Sequence, residues 1–188
     1  MENPATGASN GEIADSSAGD GDPLSFRCPT AEDGPAVTAL IAACPPLDRN
    51  SAYCNLLQCS DFAETCVVAE QGGSIVGWIS GYRPPERRHE FFVWQVAVSA
   101  AARGQGLGGH MLDELIARPA SAGVTDLITT VTADNQPSRA MFAGFARRHG
   151  AELTEEPRFE EEAHFAGAHA TEYQLRISPI NSASRTTR

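Results

Sequence analysis

Arg103-Gly104-Gln105-Gly106-Leu107-Gly108 stands between an apolar run at residues 91–98 and a stretch in which Met111, Leu112, Leu115 and Ile116 recur at helical spacing. The placement, a buried strand, then a glycine turn, then an amphipathic helix, decides how the chain reads. Glycines there let the backbone turn tightly and aim successive N–H groups at one point. The helix N-terminus adds partial positive charge, so together they suit a pyrophosphate. Arg103 adds a charge-assisted hydrogen-bond donor. A plain helix-capping turn uses glycines as well, and on spacing alone that reading stays open. The Gly-x-Gly-x-x-Gly spacing of a dinucleotide site is missing and no Gly-Lys-Ser/Thr follows, so Rossmann and P-loop readings fit worse.

Working upstream, the run at 91–98 is apolar along most of its length, which predicts a central strand. A hairpin precedes it: a strand at 65–70, the turn Gln71-Gly72-Gly73 and a strand at 75–82, then a polar loop at 83–90. Earlier still, a short strand at 25–28 leads to Thr30, which opens a helix with Asp33 three residues on and Val37, Leu40, Ile41 and Cys44 along one face. Pro45-Pro46 stops that helix. Ser51 caps a second, with Tyr53, Leu56, Leu57 and Cys59 at similar spacing. Downstream of the turn come the helix already noted, a strand at 127–131, a helix at about 137–149, a weak strand at 151–153, a Glu-rich loop and a last strand at 172–177. This is a mixed α/β order that one sheet with helices on its faces accommodates.

The chain has 188 residues, 41% of them hydrophobic, which suits one globular unit. Residues 1–24 hold no Lys or Arg and read as a disordered acidic tail, and residues 178–188 as a flexible C-terminal one, leaving a domain at 25–177. No apolar run approaches the ~18 residues of a membrane span. Five cysteines, without an export signal, suit reduced thiols and a cytoplasmic protein. A net charge of −10 argues against nucleic acid and suits a cationic substrate.

Arg103, Gly106 and Gly108 match Arg/Gln-x-x-Gly-x-Gly/Ala, the acyl-CoA signature that the turn resembles, that of the GNAT superfamily. The resemblance implies the GNAT acyl-CoA N-acyltransferase fold, α/β, a mixed central sheet with helices on both faces, with acetyl-CoA as co-substrate and no metal. It also implies that the strand before the signature splays from its parallel neighbour and pairs with the pantetheine arm through Val96, Ala97 and Val98, the Val98 N–H serving as oxyanion donor. Arg103, Gly104, Gln105, Gly106, Leu107 and Gly108 would then hold the pyrophosphate, with Asn135 and Ser138 beside the cofactor. Phe142 stands where the family usually has a Tyr that protonates the departing thiolate.

Narrower motifs are Leu47-Asp48-Arg49-Asn50-Ser51, Phe91-Phe92-Val93-Trp94-Gln95, Asp134-Asn135-Gln136-Pro137-Ser138 and His164-Phe165-Ala166-Gly167-Ala168-His169 with Thr171-Glu172. These resemble the L-2,4-diaminobutyrate acetyltransferases of ectoine biosynthesis, over about residues 26–177. The resemblance implies acetyl transfer to the γ-amino group, a homodimer, and Asp48, Asn50, Trp94, His169 and Glu172 around the substrate. Glu172 or His169 is the candidate base. A diamino acid also needs a donor for its carboxylate, for which Arg49, Arg83 and Arg87 are candidates.

Each residue has a plainer role. Asp48 and Asn50 can cap the helix that follows, Trp94 can be core, Glu172 can sit on a strand edge, and Arg83, Arg87 and Arg88 can be a solvated loop or can meet the cofactor's 3'-phosphate. His164 and His169 lack metal-site spacing. Another GNAT amine substrate, or a non-catalytic acyl-CoA-binding module, are the competing functions. Because the acidic tail contributes nothing to any of these motifs, deleting residues 1–24 is expected to leave turnover unchanged, which a rate comparison of full and truncated protein checks.

Overall fold

A computed structural model describes residues 23–180, so the expected tail at 1–24 lies almost wholly outside the described residues, as does 181–188. Its elements are β1 (Ser25–Arg27), α1 (Gly34–Ala42), α2 (Ala52–Ser60), β2 (Val67–Gln71), β3 (Ser74–Tyr82), β4 (Glu90–Val98), α3 (Leu107–Ala117), β5 (Asp126–Thr132), α4 (Gln136–His149), β6 (Glu152–Phe159), α5 (Glu161–Phe165) and β7 (Glu172–Ser178). One sheet runs in the order β1-β2-β3-β4-β5-β7-β6, with β4 and β5 parallel and the other neighbours antiparallel. The apolar run thus forms the middle strand.

Two cores lie on opposite faces of the sheet. Met111, Leu112 and Leu115 of α3 and Phe142 and Phe145 of α4 pack on Val67, Ile79, Phe91, Val93, Leu127 and Leu175. Val37, Leu40 and Ile41 of α1, with Cys59 of α2, pack on Val68, Trp78 and Ala97. Alternation along β4 is interrupted midway. Gly81 pairs with Val93 and Ser80 with Gln95, which leaves Trp94 as the extra residue of a bulge. Phe91 and Val93 therefore face α3 and α4, but beyond the bulge it is Val96 and Val98 that do, while Gln95 and Ala97 turn to the opposite face.

Three expectations are corrected. The Glu-rich loop is instead an edge strand, β6, followed by the short helix α5. Its charges and Pro157 disguise it, yet those are the residues an unpaired edge tolerates. The first residues of the flexible tail expected from residue 178 are ordered parts of the fold: Ser178 completes β7, and Ile180 is buried, its N–H donating to the Thr125 carbonyl at 2.7 Å. The apolar spacing read on α2 points inward only in part. Cys59 is buried, but Tyr53 and Leu56 are exposed while Asn55 and Gln58 are buried, because the helix meets polar groups, Asn55 donating to Thr38 of α1 at 2.9 Å. Its predicted cap holds, with the Ser51 hydroxyl accepting from the Cys54 N–H at 3.1 Å.

β4 and β5 start with two carboxylates side by side, Glu90 against Asp126, an arrangement that would repel. Arg176 of β7 bridges them, donating to Glu90 at 2.8 Å and to Asp126 at 2.5 Å, and Arg87 donates to Glu90 at 2.6 Å. Burial pushes the Glu90 carboxyl up, but the two arginines more than offset it and hold it below the usual carboxylate range. Arg176→Met should leave a 2%-exposed Glu90 side chain short of a partner. We expect a loss of about 2–4 kcal/mol, read as a lowered urea midpoint.

Candidate active site

Pairing between β4 and β5 ends at Val93 and Thr129. There the Thr129 hydroxyl donates to the Val93 carbonyl at 3.0 Å, filling the first acceptor that the parting strands leave open. Past that point β4 keeps β3 and β5 keeps β7, so a gap opens between them. The Ser99 N–H donates to Val76 on β3 at 2.9 Å. Since N–H groups alternate in direction along a strand, those of Val98 and Val96 point into the gap. The Val98 carbonyl shares that side and accepts from Arg103 Nε at 3.1 Å and Cys44 Sγ at 3.3 Å.

A cleft of about 370 Å³ follows this gap to the glycine turn. Val96, Val98, Arg103, Gly104, Gly106, Leu107 and Gly108 line it, together with Asn135 and Ser138 at the start of α4. Asn135 caps α4 by accepting from the Ser138 N–H at 3.2 Å. The glycines have two separate reasons. Gly104 and Gly106 have φ of 77° and 74°, the left-handed region, and Gly106 is the residue from which α3 starts. Gly108 leaves room for a neighbour, since a Cβ there would lie 2.4 Å from Met141 Sδ and make that flexible side chain shift. Two expected cofactor residues contribute no side chain to the cleft: Ala97 turns into the opposite core, and Gln105 folds back to donate to the Ala101 carbonyl at 3.1 Å. This cradle of free N–H groups, a helix start and a slot open on one strand edge fits a pyrophosphate with an extended amide-bearing arm.

On the other face, beyond the bulge, lies a second cavity of about 500 Å³, walled by Tyr82, Phe92, Trp94 and Phe159 with Thr130 and Gln58 among its polar groups. Trp94 is 50% exposed, so it walls this cavity rather than filling the core. Glu172 lies opposite Thr132 and beside Thr130. Burial drives its carboxyl above the usual range and Asp48 adds repulsion, while the Thr130 side chain and His169 pull the other way. Glu172 Oε2 is buried without a hydrogen-bond partner. His169 Nδ1 donates to the Ala170 carbonyl at 2.7 Å, which leaves the neutral ring's lone pair on Nε2, 3.9 Å from Glu172 Oε1. Such an arrangement sets two carboxylates and an imidazole within electrostatic reach of one another and holds Glu172 short of solvation, as a base for an ammonium requires.

Asp48 and Asn50 are held by a residue that sequence reasoning missed. Gln95, 6% exposed, accepts from Asn50 Nδ2 at 2.8 Å and donates to the Asp48 carbonyl at 2.8 Å. The only signal in the sequence was a glutamine inside an apolar strand. Thr130 and Gln58 were missed as well. Arg83 and Arg87 do not reach this cavity. Arg83 donates to the Arg88 and Ala120 carbonyls, and Arg87 to Glu90. Their loop precedes β4, whereas the glycine turn follows it, ~25 Å away at about 3.3 Å per residue, so the cofactor's 3'-phosphate is not theirs either. His164 is tied locally, its Nδ1 accepting from the Glu160 N–H at 2.9 Å. His89, Glu90 and Asp126 bring ligand atoms within 4.8 Å of one another, but both carboxylates already bind arginine.

Residues 35–145 match the acetyltransferase (GNAT) family. The L-2,4-diaminobutyric acid acetyltransferase of Vibrio cholerae is 48% identical over 86% of this chain and 93% of its own length. Its counterpart in Methylotuvimicrobium alcaliphilum is 46% identical over 85% and 92%. Among solved structures, diaminobutyrate acetyltransferase EctA from Paenibacillus lautus, in complex with L-2,4-diaminobutyric acid and coenzyme A, is 38% identical. It superposes with a TM-score of 0.81 over 85% of this chain and 96% of its own.

A carboxyl whose folded value is raised favours the fold fully below its unfolded value and loses that contribution as pH rises through the folded one. At neutral pH the ionised Glu172 therefore weakens the fold. Glu172→Gln is expected to melt above the wild type at pH 7, with the advantage vanishing below the ordinary carboxylate range, as melting curves across pH would register.

Proposed function

The chain belongs to the GNAT acetyltransferase family and, within it, to the L-2,4-diaminobutyric acid acetyltransferases, and we propose that it moves acetyl from acetyl-CoA to the γ-amino group of L-2,4-diaminobutyrate. The product is N-γ-acetyl-L-2,4-diaminobutyrate, the precursor of ectoine. One observation carries the reading: the β4–β5 gap, which accommodates the thioester arm, emerges beside Thr130 of the aromatic cavity, next to which the Glu172 carboxyl is held above the usual carboxylate range by burial.

The cleft binds acetyl-CoA with its pyrophosphate on the N–H groups of residues 104–108 and its arm along Val98 and Val96. Val98 neighbours the pyrophosphate turn, so the thioester at the far end of the arm falls deeper along β4. The Val96 N–H then serves as oxyanion donor and Val98 pairs with the arm. Asp48, Asn50 and Trp94 hold the diamine, the indole facing an ammonium. Glu172 takes a proton from the γ-ammonium, with His169 Nε2 positioned to share it. The freed amine attacks the thioester carbonyl, the C–S bond breaks, and the amide forms as the nitrogen gives up its second proton. Phe142 is buried and has no hydroxyl to offer the leaving thiolate. With a thiol pKa near ~8.5 it leaves as such and takes a proton from solvent.

Among the described residues no helix is long and apolar enough to cross a membrane. We place the enzyme in the cytoplasm and as a homodimer, following the resemblance and the free cysteines. Thiol release with diaminobutyrate beside ornithine, lysine, spermidine and a peptide amine, with the acetylated nitrogen located by NMR, tests the reading. Selective γ-acetylation supports it. Preference for another amine would keep the family chemistry and void the substrate residues, and acetyl-CoA binding without any turnover would leave a binding module. Glu172→Ala is expected to lower kcat by roughly 10²–10⁴ with acetyl-CoA affinity unchanged. In the wild type, kcat/KM for the diamine should fall as pH drops through the raised Glu172 value, and Glu172→Gln should lose that limb.

A further inference from the structure

A diamino acid brings a carboxylate, and Arg83 and Arg87, two of the arginines first considered for it, are bound elsewhere. The cavity nevertheless has a guanidinium beside it. Across the β6–β7 pair, Pro157 faces Tyr173 and Phe159 faces Glu172, which leaves Arg158 as the extra residue of a second bulge. Bulges re-aim side chains. This one sends Arg158 over the sheet to lie 5.2 Å from the ring centroid of Phe92 and 5.2 Å from that of Phe159, two walls of the aromatic cavity. Arg158 Nη1 donates to Gln174 Oε1 at 3.1 Å, and Gln174 pairs with Thr130 in the same wall. No carboxylate among the described residues lies within ion-pair distance of Arg158, in a chain that has 24 acids to 14 basic residues and pairs Arg27, Arg87, Arg139 and Arg176 with them.

We propose that Arg158 binds the α-carboxylate of the substrate and so makes the enzyme select a diamino acid over a simple diamine. The assignment rests on the diaminobutyrate reading and extends it to the other end of the molecule. Asp48 and Glu172 attract the ammonium groups and Arg158 attracts the carboxylate, a mixture of charges that fits a zwitterionic chain and not a polycation. The rings of Phe92 and Phe159 hold the guanidinium plane while its remaining N–H groups stay available.

The test compares L-2,4-diaminobutyrate with 1,3-diaminopropane, the same chain without its carboxylate, on the wild type, Arg158→Met and Arg158→Lys. For Arg158→Met we expect kcat/KM to fall about 30- to 100-fold with diaminobutyrate, the range set by loss of a charged hydrogen bond, and to change less than about threefold with diaminopropane. Arg158→Lys keeps the charge without the fork and should fall between. Equal losses on both substrates, or none on either, would overturn the assignment and leave Arg158 a strut on two aromatic rings. A wild type that shows no preference for diaminobutyrate over diaminopropane would instead sink the substrate reading itself, whatever the variants do. Should Arg158→Met fail to fold, the ratio of the two substrates on Arg158→Lys decides the question.

Discussion

Two parallel strands that begin as neighbours and end apart are the constraint on which this protein depends. β4 and β5 are joined at their starts by Arg176, which lies between Glu90 and Asp126, and they separate after Val93 and Thr129. A gap in a sheet exposes backbone donors and acceptors that an interior must satisfy. Here the first exposed carbonyl is satisfied by the Thr129 hydroxyl, and the N–H groups of Val96 and Val98 stay open. In the proposed function the cofactor arm supplies the missing strand. Stability at one end of the strand pair therefore permits function at the other: ion pairs that draw Glu90 and Asp126 together let the sheet carry an unfinished edge.

The two bulges put this edge to work. A strand in strict alternation would send Gln95 to the face that carries α3, where nothing polar awaits it. With Trp94 looped out, Gln95 turns to the opposite face and ties Asp48 and Asn50, and Trp94 itself faces the cavity. The bulge in β6 does the same for Arg158. Two of the side chains proposed to meet the substrate, Trp94 and Arg158, thus sit where the pleat is broken. The buried side of α2 is polar, with Asn55 donating to Thr38 at 2.9 Å and lying 3.4 Å from Asn50 Nδ2.

What sequence made legible were features with local causes. The glycine turn, the apolar central strand, the cap at Ser51 and the helix after the turn all follow from neighbouring residues, and the structure has them. The resemblance brought Asp48, Asn50, Trp94, His169 and Glu172 forward; of these Trp94 lines the aromatic cavity, Glu172 has Thr130, His169 and Asp48 as electrostatic neighbours, and Asn50 is tied to Gln95. Features with distant causes were not legible. Arg176 and Glu90 are 86 residues apart, a bulge leaves no compositional mark, and β6 carries so many charges that its strand character comes only from pairing with β7. The inner face of α2 was misread in part because apolar spacing assumes an apolar underside, and this helix turns Asn55 toward Thr38 of α1 and Asn50.

The missing tyrosine at Phe142 follows from where the acid–base demand falls. An alkylammonium with a pKa of ~10 must lose a proton before it can attack, a penalty of roughly 4 kcal/mol at pH 7, at about 1.4 kcal/mol per unit. The thiolate released later is the weaker base of the two, with its thiol pKa near ~8.5, so its departure needs no proton donor of comparable strength. Catalytic investment should then sit on the amine side. That is where the fold accepts an instability, in a half-buried Glu172 whose Oε2 is buried and has no hydrogen-bond partner among the described residues. On the thiolate side it has instead a phenylalanine packed into the core between α4 and the sheet. A phenol there would add a polar group to that core for a step that proceeds without it, and the side chain at Phe142 is accordingly one that stabilises the fold.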